Sequence, residues 1–90
     1  MEASARPALP RGVRLHQDKV RNCPVLLGPE VALILDPIGE IILSEIDGKR
    51  AISEIAAELG QRFDASPDEI AADMREFLEG LAARRLVDVI

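Results

Sequence analysis

A nucleophile or a metal ligand has few candidates in this chain, which carries one histidine, His16, and one cysteine, Cys23. Tetrahedral zinc needs three or four His, Cys or carboxylate ligands within reach of one point, and this pair falls short. A Cys–His couple would also need oxyanion donors and an enclosing pocket, for which the sequence has no motif. The two residues read as a histidine on the polar face of a strand and a small, partly buried thiol. The acids Asp68, Asp73, Glu76 and Glu79 recur along one helical segment. Paired carboxylates run acid–base chemistry when burial separates their pKa values. These fall opposite an apolar stripe, where water keeps them ordinary. Gly28, Gly39, Gly48 and Gly60 stand singly, without the spacing of a phosphate loop or a dinucleotide fold. Arg84 and Arg85 sit where a helix dipole welcomes cations. A winged helix that reads DNA needs a basic recognition helix, whereas the helix of Arg75 exposes mostly acids. No catalysis, metal, cofactor or nucleic-acid partner is expected.

Ninety residues with 48% apolar content suit one domain with a modest core. A domain of this size buries only about 60–65% of the surface its unfolded chain exposes. So thin a margin favours a module that works with a partner. Two phenylalanines, with no Tyr or Trp, leave few platforms for stacking a base or capturing a cation. The net charge of −5 is unevenly spread: residues 1–30 hold five Lys/Arg against three Asp/Glu, and residues 31–90 hold six against thirteen. A single cysteine excludes an internal disulfide and fits a reducing compartment. "MEASARPALPRG" has no apolar signal core, and nothing approaches the ~18 apolar residues of a membrane span. A cytoplasmic location without membrane contact is expected.

Residues 1–12, small and proline-rich, are expected to form a flexible arm, followed by one domain over 13–90. "VRLHQ" alternates, with Val13, Leu15 and Gln17 on one face and Arg14 and His16 on the other. "CPVLLG" and "VALIL" (31–35) follow after short turns, so an antiparallel three-stranded meander is predicted. At Asp36 the period changes to 3.6. Asp36 suits a helix cap and Pro37 the first helical position, with Ile38, Ile41, Ile42 and Ile46 on one face and Asp47-Gly48 closing. A second helix places Ile52, Ile55, Ala56, Leu59 and Phe63 on a stripe. The third opens on Ser66-Pro67-Asp68-Glu69, a capping box, runs through Ile70, Met74, Phe77 and Leu81, and ends near Arg84. "LVDVI" is read as a last extended segment. The expected fold is α+β and winged-helix-like: a three-stranded antiparallel sheet followed by a three-helix bundle.

The apolar residues exceed what such a core needs. Val31, Leu33 and Leu35 point one way on the third strand, yet Ala32 and Ile34 on the other face are apolar too, where a half-solvated sheet normally turns polar. Ala71, Leu78 and Ala82 widen the stripe of the third helix to one flank, bordered by Arg75. Edge strands usually carry charge or proline, and residues 31–35 have neither. Two readings remain open. Either the chain's own segments or a second copy cover the surplus, giving a structural or regulatory homodimer module, or strand 31–35 accepts an extended peptide as an added strand. Edge association or strand exchange between copies is compatible with both.

"RGVRLHQDKV", "PVLLGPEVALILDPIGEIILSEIDGKRAISEIAAEL" and "DMREFLEGLAARRLV" together resemble the small D proteins of pyrroloquinoline quinone (PQQ) biosynthesis, over residues 11–87. The resemblance rests on spacing along the whole length, most specifically on the strand leading into Asp36–Gly39. Where the family often shows Asn-x-Thr-Gly, this chain has Asp36-Pro37-Ile38-Gly39. The resemblance implies a winged-helix-like recognition element for ribosomally made, post-translationally modified peptides (RiPPs). It further implies a non-catalytic chaperone that binds the precursor peptide of PQQ and presents it to a radical S-adenosylmethionine (SAM) enzyme. In such domains the peptide lies along the third strand and against the third helix. Here those elements correspond to Val31, Ala32, Leu33, Ile34 and Leu35 and to the helix bearing Ala71, Arg75, Leu78 and Ala82.

Overall fold

The computed structural model describes residues 1–90. Five strands and three helices follow one another as β1 (Pro7–Ala8), β2 (Arg14–Asp18), β3 (Cys23–Gly28), β4 (Val31–Ile34), α1 (Pro37–Glu45), α2 (Ile52–Phe63), α3 (Pro67–Ala83) and β5 (Asp88–Val89). The expected α+β arrangement of three antiparallel strands and three helices is present, with β3 central and β2 and β4 at the edges. Pairing of Arg14 with Leu27 and of His16 with Val25 puts the polar β2 residues on the outer face, while Leu15, Leu26 and Leu33 align on the inner face. Gly28 and Val31 pair across a two-residue turn in which Glu30 takes φ 60°.

Cap chemistry sets the helix starts. The Asp36 carboxylate accepts the Gly39 N–H at 2.6 Å, with Pro37 in the first turn. Ser66 Oγ accepts the Glu69 N–H at 3.5 Å, a long contact. α3 ends with the Leu86 N–H on the Leu81 carbonyl and the Arg85 N–H on the Ala82 carbonyl, both at 2.9 Å. That is the Schellman pattern, with Arg85 at φ 61° where glycine is usual. The core lies between sheet and helices: Leu26, Leu43, Ile52, Ile55, Met74 and Leu78 are fully buried.

Within residues 1–12, expected as a flexible arm, residues 3–8 lie docked on the domain, and α2 supplies the reason. Its cap position is Ala51, whose side chain accepts nothing. Glu54 takes the Ala51 N–H at 2.9 Å, which leaves the next two amides of the first turn without helical partners. The arm meets them: Ala5 C=O accepts the Ile52 N–H and Ala3 C=O the Ser53 N–H, each at 3.0 Å. Further along, Pro7 C=O accepts the Gly48 N–H at 2.8 Å, and Pro7–Ala8 pairs with Asp88–Val89. Gly48 sits at φ 74° with the Ala8 and Ile90 side chains against it. Deleting residues 1–8 is therefore expected to lower stability by about 2–4 kcal/mol, from lost bonds of roughly 1 kcal/mol each and re-exposed apolar surface. Urea denaturation of the truncated chain measures this.

Arg50 ties α1 to α2. Its guanidinium donates to the Glu45 carbonyl at 2.6 Å, to Asp47 at 3.2 Å and to Glu58. The hydrogen bond to Glu58, then that to Asp47, raises the Arg50 pKa. The backbone N–H groups of Arg50 and then Lys49 hold the Asp47 carboxyl down at about 2. A depressed carboxyl stabilises the fold above its unfolded pKa of about 3.9, and that contribution fades as pH falls through about 2. Asp47→Asn is expected to flatten the dependence of melting temperature on pH between about pH 4 and 2, read by circular dichroism.

Candidate functional site

β4 has a neighbour on one side only. Its register decides which backbone groups are free. The Leu35 N–H bonds the Pro24 carbonyl at 2.9 Å, and antiparallel bonding alternates. Leu35, Leu33 and Val31 therefore turn their amides and carbonyls toward β3, while those of Ala32 and Ile34 point outward from the sheet. Ala32 is exposed and Ile34 is 62% exposed. Val31 and Leu33 are half-buried against the core, and Leu35 is 7% exposed. Neither charge nor proline protects this edge.

The chain leaves β4 through Asp36 into the first turn of α1, where α3 closes in. Gly39 is buried, and a Cβ there would lie 3.2 Å from Phe77 Cζ. Beside this contact runs a cleft of about 250 Å³ lined by Asp36, Ile38, Gly39, Ile42, Asp73 and Phe77. It shares Ile38, Ile42 and Asp73 with a cavity of about 260 Å³ between the three helices, completed by Ile41, Leu59, Phe63, Ala65 and Ile70. Apolar walls with two carboxylates suit an apolar guest, and no three His, Cys, Asp or Glu side chains converge as metal ligands.

The helical half of the predicted site is not where it was expected. Leu78 is 0% exposed, packed in the core with Met74 and Leu81. It is a core residue, not a groove wall. At about 100° per residue, Arg75 points some 160° away from Phe77. Since Phe77 faces the start of α1, the flank of Arg75 and Ala82 turns away from the β4 exit. Glu79, one turn beyond Arg75, receives the Met1 amino group, and the Met1 side chain is only 3% exposed. That hydrogen bond lowers the Glu79 pKa, with a smaller contribution from Arg75. The arm thus occupies the Arg75–Ala82 side of α3. Ala71 is half-buried on the same side of the stripe, against the core.

The large apolar residues that line the cleft and the cavity are ones the sequence assigns to the core. Phe77 and Ile70 are half-buried, Ile38 is 65% exposed and Phe63 53%. A glycine inside a helix at Gly39, opposite an aromatic, was the available signal of close approach. Its partner in space lies 38 residues away, beyond the reach of periodicity.

Comparison with known proteins gives the family. The family model described as Coenzyme PQQ synthesis protein D (PqqD) matches residues 23–87. The PqqA binding protein of Rhizobium meliloti is 45% identical over 82 residues, covering 91% of this chain and 84% of that protein. The bifunctional coenzyme PQQ synthesis protein C/D of Methylorubrum extorquens is 48% identical over 82 residues, and the match spans only 22% of that longer protein. Among solved structures, the solution structure of the PqqD truncation of Methylobacterium extorquens PqqCD, a functional and stand-alone RiPP recognition element, aligns with TM-score 0.83 at 45% identity, covering 97% of this chain and 93% of that one. The crystal structure of PqqD from Xanthomonas campestris aligns with TM-score 0.61 at 37% identity, covering 96% of each chain. With a family match over residues 23–87, this structural similarity and this level of identity along nearly its whole length, the chain belongs to the coenzyme PQQ synthesis protein D family.

Proposed function

We propose that this chain is a non-catalytic chaperone that binds the ribosomally made PqqA precursor peptide as an added strand on β4 and presents it to a radical SAM peptide-modifying enzyme. The observation that carries the reading is the open edge of β4, with the amides and carbonyls of Ala32 and Ile34 unpaired, which leads through Asp36 to a cleft lined by Ile38, Ile42 and Phe77. Support comes from relatives that bear the name PqqA binding protein. Four backbone hydrogen bonds, each worth roughly 0.5–1.5 kcal/mol net, would hold the peptide main chain, and the half-buried Val31 and Leu33 would border its side chains. Such a peptide is available where it is translated, so binding belongs in the cytoplasm. No helix is long and apolar enough to cross a membrane.

Amide hydrogen exchange tests this. Adding synthetic PqqA should slow exchange at Ala32 and Ile34 and leave Val31 and Leu33, already bonded to β3, little changed. Peptide binding with no protection at Ala32 and Ile34 would move the site elsewhere. A second reading, a homodimer joined through β4, is favoured by the same uncharged edge. Sedimentation without peptide separates the two, because a tight dimer that loses no subunit contact on adding PqqA supports the dimer module.

A further inference from the structure

The cavity between α1, α2 and α3 lies beyond the strand edge and is used by nothing described so far. About 260 Å³ is below the roughly 300–1,000 Å³ typical of sites for whole small molecules, and suits one large side chain. Its walls are apolar, and two of the chain's most exposed large hydrophobic side chains, Ile38 at 65% and Phe63 at 53%, border it. The single charged lining residue is Asp73, which makes no hydrogen bond or ion pair within the chain. Arg62, the neighbour of the lining residue Phe63, is committed elsewhere: it bonds Glu45 at 3.3 Å and lies 6.0 Å over the Phe63 ring. Asp36, in the adjoining cleft, is occupied by the Gly39 amide.

We infer that this cavity is a side-chain subsite for the peptide held on β4, taking an apolar residue adjacent to a lysine or arginine whose charge pairs with Asp73. The inference rests on the peptide-binding reading and deepens it. Continuity supports the occupant, since Ile38, Ile42 and Asp73 line both the cleft beside the β4 exit and the cavity. A peptide leaving the edge past Ile34 meets Asp36 and Phe77 and then the cavity mouth. Charge supports it too. Water-exposed Asp73 at the mouth of a greasy pocket favours a neighbouring cation, giving specificity and orientation more than affinity. A second copy of this chain fits less well, because a two-fold contact brings the same patch against itself, and that patch offers two carboxylates, Asp36 and Asp73, with no lysine or arginine in its lining.

The test is a titration of fluorescein-labelled synthetic PqqA into wild-type protein and into Ile38→Glu, Phe63→Glu and Asp73→Lys, read by anisotropy. All three positions are exposed, and a glutamate at residue 38 falls in the first turn of α1, where the helix dipole favours it. Far-UV circular dichroism confirms that each variant is folded. Ile38→Glu and Phe63→Glu should each weaken binding tenfold or more. Asp73→Lys should weaken it about five- to tenfold in 50 mM NaCl and by less in 500 mM. A PqqA variant with its Lys and Arg residues replaced by Glu should prefer Asp73→Lys over wild type. Wild-type binding with all three variants within twofold of it overturns the subsite. Loss of binding confined to the two glutamate variants overturns the cationic preference. If Ile38→Glu converts a dimer to a monomer without changing peptide affinity, the cavity belongs to a second copy and the inference fails. Absence of binding to wild type overturns the peptide reading itself.

Discussion

Ala32→Pro is expected to remove most peptide affinity from a protein that still folds. The Ala32 N–H points outward from the sheet, so proline there deletes no bond to β3. Proline is tolerated on edge strands in this orientation, and a stability cost of about 1 kcal/mol is expected from constraining φ. An incoming strand loses much more. It forfeits one hydrogen bond and leaves its own carbonyl unpaired against the proline ring, together about 2–4 kcal/mol, or roughly 30- to 1,000-fold in Kd. Leu33→Pro is the control. Residue 33 pairs with Leu26 across the inner ladder, so proline there should disrupt the sheet itself. Calorimetric titration with PqqA and thermal melts of both variants give the comparison. Wild-type affinity in folded Ala32→Pro would remove β4 as the docking strand.

The second large effect concerns the centre of α3. Leu78 is 0% exposed within the core, so Leu78→Asp combines the loss of a buried side chain with an unpaired carboxylate among Met74 and Leu81. The expected cost is about 4 kcal/mol or more. At roughly 0.05–0.15 kcal/mol per residue, a domain of this length has total stability of about 5–13 kcal/mol, so the variant should be largely or wholly unfolded at 37 °C. Arg75→Ala, three residues earlier on an exposed face, should change stability by no more than about 0.5 kcal/mol. Urea curves for the two variants test the placement of the helix. A folded Leu78→Asp would contradict the core described above.

Much of the architecture was legible because local chemistry and global fold agree. The alternation in "VRLHQ" predicts the faces seen in the β2–β3 register, and Asp36-Pro37 and Ser66-Pro67 mark helix starts that the structure keeps. The uncharged third strand already announced an unusual edge. Helix α1 shows the limit of periodicity. Ile38 was expected on the buried face with Ile42 and Ile46, yet it stays 65% exposed, because the first turn of α1 lies at the cleft rather than under the sheet. Leu43, outside the expected stripe, is buried instead.

The docked arm could have been anticipated from α2, which starts at Ala51 without a capping side chain. Unsatisfied helical amides need partners from somewhere, but nothing in a linear pattern says that Ala3 and Ala5 provide them.

Local order in the chain is a matter of neighbours in sequence: side-chain period, caps and turn residues act over a few positions, and they specify which segments become strands and helices and that residues 31–35 carry no edge protection. Which flank of α3 meets the β4 exit is a different kind of fact. It depends on how a helix is rotated about its axis when it packs, and that rotation is chosen by buried contacts such as Phe77 on Gly39, far apart in the chain. Two flanks with similar apolar content were available, and only packing could assign one to the arm and the other to the open cleft.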